Sequence, residues 1–197
     1  ILEKATNEEI AQGELFTVDT DKLAEIKQVF ERAEECGVSV VFLTAMHYFP
    51  EFLYEYDPTI INSGSESDFP NFTPYNPTHP VVLETFNQFL DAVIPVIKDY
   101  KSLNSICISN EPIFFANLTP DYYIEEYQRQ LKEKYISIET LNDAHGTSYG
   151  DFSDIKMPED TSEGSSDRES LTAFNDYRLF NESIVTAYQK AIRDKIK

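Results

Sequence analysis

Apolar residues recur at helical spacing in several stretches of the chain. Between these stretches lie two short runs of mostly apolar residues. From Asp21 to Cys36 they follow the helical period, with Asp19 or Thr20 as the cap and Gly37 as the stop. The next run, Val38 to Met46, is almost continuously apolar and β-branched, which is typical of a strand buried on both faces. The pattern predicts a helix followed by a central parallel strand.

A second helix and a second strand follow. Thr78 and Pro80 open a helical pattern that extends to Ile97, and Pro95 is expected to kink or break it. The apolar run from Leu103 to Ser109 comes next and reads as a strand. Two buried strands joined by a helix pair in parallel through a right-handed crossover. The predicted fold class is therefore α/β.

The remaining pattern is helical. Helices are expected from Pro120 past Leu131, from Ser137 to His145, and from about Arg168 to Ile196. Two strands cannot cover the apolar faces of this many helices. Either weak strands lie near Leu15 to Val18 and Phe152 to Ile155, or the chain is part of a larger barrel.

A long segment, His47 to His79, separates the first predicted strand from the helix after it. It is rich in proline and carries a Ser/Glu/Asp run. Connections of this length are uncommon in compact domains unless they are functional or disordered. We therefore expect a long loop here, at the end of the strand where α/β proteins place their active sites.

The composition of the chain, and above all its net charge, disfavours some classes of binding partner. The chain has 197 residues, 41% of them hydrophobic, which suits one domain, and its formal charge is -19. That charge repels phosphate backbones and anionic membranes, so nucleic-acid and membrane partners are not expected. Three scattered histidines predict no metal site, and nothing indicates a cofactor. Cys36 and Cys107 are too few for a disulfide framework and are expected to be small core residues.

The stretch from Ser105 to Pro112 is chemically the most informative. Pro112 biases the residue before it away from the helical conformation, so Glu111 should stay extended at the carboxyl end of the second strand. A carboxylate at that position is a candidate general acid. The alternative interpretation is that Glu111 has no catalytic role: it would be a solvated glutamate at a strand end, and Pro112 would only end the strand.

Further motifs occur in a consistent order along the chain. Gly13–Phe16, Gly37–Val41, His47–Leu53, Tyr75–Pro80, Asn110–Pro112 and Leu141–Thr147 together resemble the clan A glycoside hydrolases, and within them the β-galactosidase-like enzymes of glycoside hydrolase family 42. The last motif departs from the family pattern, with His145 where the family has Trp. The resemblance implies a segment of a (β/α)₈ TIM barrel with parallel strands and long βα loops. Residues 1–197 would form one partial barrel, about strands 3 and 4 with flanking helices and the long loop 47–79.

The same resemblance implies a retaining hydrolysis of β-glycosidic bonds, in a β-galactoside or a related polysaccharide. Glu111 would be the general acid/base, and Asn110 would hydrogen-bond the sugar 2-hydroxyl. His47 and Tyr48 would contact the carbohydrate substrate. The retaining mechanism also needs a nucleophilic carboxylate ~5 to 5.5 Å from the acid. In this family it ends strand 7, which has no matching motif here, so the nucleophile is expected outside this chain and the isolated chain is expected to be inactive.

Several neighbouring residues have two interpretations. His47 is either a ligand of a sugar hydroxyl or a structural histidine. The aromatic residues of the long loop either stack on sugar or pack the loop onto the barrel; they are Tyr48, Phe49, Phe52, Tyr54 and Tyr56. The loop acids Glu51, Glu55 and Asp57 are read as solvated, not as nucleophiles. His79 and His145 are read as helix-boundary residues.

Two other functions fit part of the pattern. The chain could be a carbohydrate-binding or structural module that derives from a glycosidase barrel and has lost hydrolysis. It could also be an acidic adaptor that uses its aromatic loop for protein contact, although this would not explain the ordered motifs. As a partial barrel it is expected to expose apolar strand edges and to self-associate through them.

Overall fold

The computed structural model describes residues 1–6, 8–9, 16–44, 49–62, 75–110, 114, 116, 119–158 and 168–197. The strands in this part of the chain are β1 (Leu2–Lys4), β2 (Phe16–Val18), β3 (Val40–Leu43) and β4 (Leu103–Cys107). The helices are α1 (Thr20–Cys36), α2 (Phe52–Tyr56), α3 (Pro80–Ile97), α4 (Pro120–Tyr135), α5 (Ile138–His145) and α6 (Arg168–Ile196). Short 3₁₀ turns cover Pro58–Ile60 and Phe152–Asp154.

The central feature is the parallel pair of β3 and β4. Val40 lies opposite Leu103 at one end of the ladder, and Leu43 lies opposite Cys107 at the other. The crossover between the two strands contains α3, as the sequence predicted. The parallel pairing confirms the α/β class, and it brings the carboxyl ends of both strands to one edge.

The two faces of this pair differ in what covers them. Val40 and Phe42 pack toward α1 and α3, against Phe30 and Val93. The alternate residues of β3 point to the other face, where Val41 is 58% and Leu43 is 41% exposed. In an α/β barrel the helices cover the outside of the sheet and the remaining strands close over the inner face. The exposed valine and leucine therefore correspond to the inner face of a barrel segment.

Local caps account for the bounds of α1. Asp19 caps its start, because its side chain accepts hydrogen bonds from the backbone N–H groups of Asp21 and Lys22. Gly37 ends it in the left-handed conformation, with φ 66°. Of the two caps that the sequence allowed, the structure selects Asp19.

The most apolar helix is α3, whose 18 residues have the length and composition of a membrane-spanning helix. It packs instead as a core helix against α1 and α6. One face is buried through Val82, Phe86, Leu90, Val93 and Ile97. The helix continues through Pro95 to Ile97, so the predicted break does not occur.

Three other expectations need correction. Phe152–Asp154 forms a 3₁₀ turn instead of a strand, with Asp151 as its cap. Phe16–Val18 is a strand, but it pairs antiparallel with β1 and does not join β3 and β4. The segment 47–79 is not simply a loop, because α2 and a 3₁₀ turn lie within its described part. The pairing of β2 with β1 is a tertiary contact, whereas the 3₁₀ turn at Phe152–Asp154 depends on the local cap at Asp151, and hydrophobic periodicity predicts neither.

The cysteines also differ from expectation. Cys36 is exposed in the last turn of α1. Cys107 is half-buried at the end of β4. Neither is a fully buried core residue, so the prediction for Cys36 is wrong and that for Cys107 is only partly right.

The turn between α4 and α5 contains a strained residue. Ile136 has φ 67° and ψ -45°, and its side chain is 86% exposed. A β-branched residue at positive φ is a conformational outlier, because its Cβ crowds the neighbouring carbonyl oxygen. The strain has no compensating burial at Ile136 itself.

We expect Ile136→Gly to stabilise the fold by about 1 kcal/mol, because glycine adopts positive φ without strain and little apolar burial is lost. The midpoint of urea unfolding, at an unchanged m-value, measures the gain. Ile136→Ala is the control, since it removes the same exposed side chain but keeps the Cβ. If both variants are equally stable, φ strain at this position is not the cause.

Candidate functional site

The candidate site lies at the edge where β3 and β4 both end. The backbone N–H of Thr44 donates to the carbonyl of Cys107 at 3.0 Å, and its hydroxyl donates to the carbonyl of Ile108 at 2.5 Å. Thr44 therefore ties the first residue after β3 to the first residue after β4. Asn110 is exposed just beyond this point.

Of the four predicted site residues, the structure describes only Asn110. His47, Tyr48 and Glu111 lie outside the described residues, so their positions and their grouping remain predictions. The sequence places them shortly after the two strand ends that the structure brings to one edge.

The described aromatic residues of the segment after β3 differ in burial. Phe49 is buried, with its ring centroid 4.8 Å from that of Tyr75 and 5.8 Å from that of Tyr54. Tyr56 is exposed. For Phe49 the packing interpretation holds over sugar stacking, because a buried ring cannot offer its face to a ligand.

A polar network follows in the same segment. The Nδ1 atom of His79 accepts the backbone N–H of Val81 at 3.2 Å and caps the start of α3. The neutral ring therefore carries its proton on Nε2, which lies 3.0 Å from the hydroxyl of Thr59. That hydroxyl donates to Oδ1 of Asp57 at 2.6 Å. His79 is thus a helix-boundary residue, as predicted.

The network shifts the pKa of both ionisable members. Burial lowers the pKa of His79, against the opposing effect of the Asp57 carboxylate. Hydrogen bonds from Thr59 lower the pKa of Asp57. Asp57 is partly exposed, and its carboxylate also caps the 3₁₀ turn by accepting the N–H of Thr59, a local structural role that the sequence analysis did not assign. Glu51 and Glu55 are exposed, as expected of solvated acids.

Asn76 extends this network to the segment after β4. Its side-chain nitrogen donates to the carbonyl of Thr59 at 2.6 Å, and its Oδ1 accepts the hydroxyl of Thr119 at 2.8 Å. Thr78 and Tyr123 make a second link, with their hydroxyl oxygens 3.2 Å apart. The segments that follow β3 and β4 are therefore joined by side-chain hydrogen bonds as well as by the sheet.

The helix α6 also contacts the segment after β4. Nε2 of Gln189 donates to the hydroxyl of Ser109 at 2.7 Å, and Oδ1 of Asn181 accepts the N–H of Ala116 at 2.9 Å. Sequence reasoning did not find these residues. The sequence did carry one sign of them. Asn181 and Gln189 each directly follow an apolar residue of the buried face of α6, namely Phe180 and Tyr188.

The Leu141–Thr147 motif forms the end of α5 and the turn after it. Oδ1 of Asn142 accepts from the hydroxyl of Thr147 at 2.8 Å and from the N–H of Tyr149 at 3.0 Å, which fixes the turn. His145 lies in the last turn of α5, as predicted, and its Nε2 lies 3.0 Å from the buried carboxylate of Asp176.

Asp176 is the centre of a second polar network, between α4, α5 and α6. Besides His145 it binds the hydroxyl of Tyr135 at 2.6 Å and the ammonium of Lys134. Burial alone would raise the pKa of Asp176, but the hydrogen bonds from these three partners outweigh it and lower the pKa to about 2. The carboxylate stays charged at neutral pH and holds the three helices together.

An apolar groove of about 530 Å³ opens beside the end of β3. Its wall includes Leu43, Phe49 and Phe52, and among the lining residues that the structure describes only Thr44 and Thr85 have polar side chains. This described part of the wall is therefore mainly apolar. Within the described residues, no group of three His, Cys, Asp or Glu side chains is placed to hold a metal ion.

Comparison with known proteins identifies a family to which the chain is similar and the part of its relatives that it covers. The sequence model of glycoside hydrolase family 42, described as beta-galactosidase, matches residues 19–197. The exo-beta-D-glucosaminidase of Pyrococcus horikoshii is 24% identical over 208 residues, which cover 92% of this chain and 26% of that protein. The chain thus spans about a quarter of the length of the curated relatives that it matches.

Solved structures agree with the fold. The cold-adapted beta-galactosidase from Rahnella sp. R3 superposes with a TM-score of 0.69 at 20% identity, over 92% of this chain and 26% of that one. The apo exo-carrageenase of family 42 from Bacteroides ovatus superposes with a TM-score of 0.59 at 26% identity. The superposition covers 80% of this chain and 22% of that one. The prediction of a segment of a (β/α)₈ barrel is confirmed.

The His79 network predicts a pH-dependent stability. Because the folded-state pKa of His79 lies below the ordinary value of 6.5, the unfolded chain takes up a proton first as the pH falls. The stability from the neutral, buried ring is present above that value and is lost as the pH falls below it.

We expect the free energy of unfolding of the wild type to fall more than that of His79→Asn when the pH is lowered from about 7.5 to about 5. Urea unfolding of both proteins at the two pH values measures this difference. Asparagine is the control side chain, since it can still cap α3 but does not titrate. A difference between the two proteins that is the same at both pH values would exclude His79 as the titrating group.

Proposed function

The chain belongs to glycoside hydrolase family 42, and we propose that it supplies the acid/base half of a retaining β-glycosidase site, with Glu111 as the general acid/base. The observation that carries the proposal is the parallel pairing of β3 with β4. It brings both strand ends to one edge, where Asn110 is exposed and Glu111 is the next residue in sequence. This is the edge at which α/β barrels assemble their active sites.

In this proposal Glu111 acts twice. It first protonates the oxygen of the leaving group while a second carboxylate attacks the anomeric carbon and forms a glycosyl-enzyme. It then accepts a proton from the water that hydrolyses this intermediate. The second carboxylate has no matching motif in this chain and is proposed to come from a later strand of the full-length protein.

The neighbouring residues are proposed to bind the sugar. Asn110 would hydrogen-bond the 2-hydroxyl, an interaction that strengthens as the transition state forms. His47 and Tyr48 follow β3 and would contact the substrate from that side. We propose a β-galactoside or a related polysaccharide as substrate, in line with the relatives named beta-galactosidase, exo-beta-D-glucosaminidase and exo-carrageenase.

The inner face of the strand pair supports a further part of the proposal. Val41 and Leu43 are exposed there, opposite Ser105 and Cys107. We propose that the remaining strands of a barrel cover this face in the full-length protein. Without them, a second copy of the segment would be the partner that buries the apolar surface.

In the full-length protein, Glu111→Gln is expected to lower turnover of substrates with poor leaving groups by ~10² to 10⁴, because an amide cannot donate the proton. Sugar binding should be preserved, since glutamine keeps the shape of the side chain. The loss should shrink for nitrophenyl glycosides, whose leaving groups need no protonation. Values of kcat/KM on matched alkyl and nitrophenyl glycosides measure this selectivity, because kcat/KM reports the departure of the leaving group and not the later hydrolysis of the glycosyl-enzyme, which needs Glu111 as a base for every substrate.

Equal losses of kcat/KM on both substrates would mean that Glu111 is a structural residue. The separate segment of residues 1–197 is expected to show no turnover, because the nucleophile is missing. Hydrolysis of an aryl glycoside by this segment would place the second carboxylate within it and would reopen the assignment of Glu51, Glu55 and Asp57.

The segment alone is expected to self-associate and to bind a hydrophobic dye, because the inner face of β3 and β4 is apolar and exposed. Light scattering and dye fluorescence measure the two properties. Val41→Thr with Leu43→Thr should weaken both, since the changes make that face more polar. A stable monomer that binds no dye would show that the core is complete without further strands.

A further inference from the structure

The helix α6 reaches both ends of the segment that contains Glu111. Gln189 donates to the hydroxyl of Ser109, two residues before Glu111, and Asn181 accepts the N–H of Ala116, five residues after it. These contacts join residues 80 and 65 positions apart in the chain. On the side of β3, Thr44 holds the carbonyl of Ile108. Among the described residues, α6 therefore contacts the segment at Ser109 and at Ala116, and Thr44 adds a contact at its start.

Asn181 is a costly choice for packing alone. Along α6 the buried apolar side chains are Tyr177, Phe180, Ile184, Tyr188 and Ile192, and Asn181 is 8% exposed beside them. An amide in such a position loses its hydration and destabilises the fold unless it is hydrogen-bonded. Asn181 recovers that energy from the backbone of Ala116, which is itself fully buried.

We propose that Gln189 and Asn181 are positioning residues that hold the general acid of this site in place through the segment after β4. The inference rests on the proposed function of Glu111. Proton transfer needs the acid within hydrogen-bond reach of the leaving oxygen, and small displacements reduce the rate strongly. A hydrogen bond at Ser109 and another at Ala116 lie on either side of the acid in sequence, and we infer that they act in the way that supporting residues orient a catalytic group.

The test uses the full-length protein with Gln189→Met, which keeps the length of the side chain and removes its donor. Ser109→Ala breaks the same bond from the other side, and the double variant should lose no more than either single one. Gln189→Glu is the rescue, since its carboxylate can accept the hydrogen of the Ser109 hydroxyl. Gln88→Met is the matched control, because Gln88 donates only to the exposed Glu84 on α3.

Two measurements are compared. Hydrogen exchange in the peptide over residues 107–119 should be faster in Gln189→Met and unchanged in Gln88→Met. Exchange of the Ala116 amide should be faster in Asn181→Leu. The kcat/KM of Gln189→Met on alkyl glycosides should fall about tenfold, with less than about a twofold loss of kcat/KM on nitrophenyl glycosides, because only the alkyl leaving groups must be protonated by the acid as they depart.

Each outcome decides a separate point. Unchanged exchange would overturn the anchoring. Faster exchange with equal losses on both substrates would overturn the positioning role, because a general structural defect would be sufficient. If Glu111→Gln, measured in parallel, shows no leaving-group selectivity, the proposed function fails, while the exchange data still decide whether α6 anchors the segment.

Discussion

The parallel pairing of β3 with β4 is the constraint on which the rest of this structure depends. Its ladder is bounded by the hydrogen bonds from Val40 to Ser102 and from Thr44 to Cys107. Parallel strands need a crossover, and α3 supplies it on the same face that α1 covers. Because side chains alternate across a strand, covering one face leaves Val41 and Leu43 on the other. The strand pair thus fixes both the shared carboxyl edge and the face that a barrel must close.

The segments that follow β3 and β4 are joined to each other and to the neighbouring helices by hydrogen bonds between polar side chains, and only partly by apolar packing. Asn76 contacts the 3₁₀ turn on one side and Thr119 on the other, and His79 joins the start of α3 to Thr59. Buried amides and imidazoles have specific partners, so they select one arrangement where apolar contacts would accept several. Rigid attachment of this kind is what a scaffold must provide to a binding or catalytic loop.

A second polar centre positions the C-terminal helices. Asp176 on α6 binds Lys134 and Tyr135 at the end of α4 and His145 at the end of α5. Removing one partner of a buried charge is costly, which makes this contact specific as well as stabilising. The contact fixes one part of α6, and the helix continues from there to place Asn181 and Gln189 beside the segment after β4. The strain at Ile136 lies in the same α4–α5 turn, next to Tyr135.

The amino-acid sequence by itself determined the described helices other than the short α2, the two central strands, their parallel order and the barrel family, because periodicity, caps and ordered motifs are local signals. It marked Asp19, Gly37 and His79 at the helix ends, and Asn110 at the strand end. It did not reveal that Cys36 is exposed, that Asp57 caps a turn, or that Phe16–Val18 pairs away from the main sheet. The tertiary structure alone decided these, and it alone paired Gln189 with Ser109 and His145 with Asp176. Such contacts join residues far apart in the chain, and only the packing of whole elements brings their polar atoms within hydrogen-bond distance.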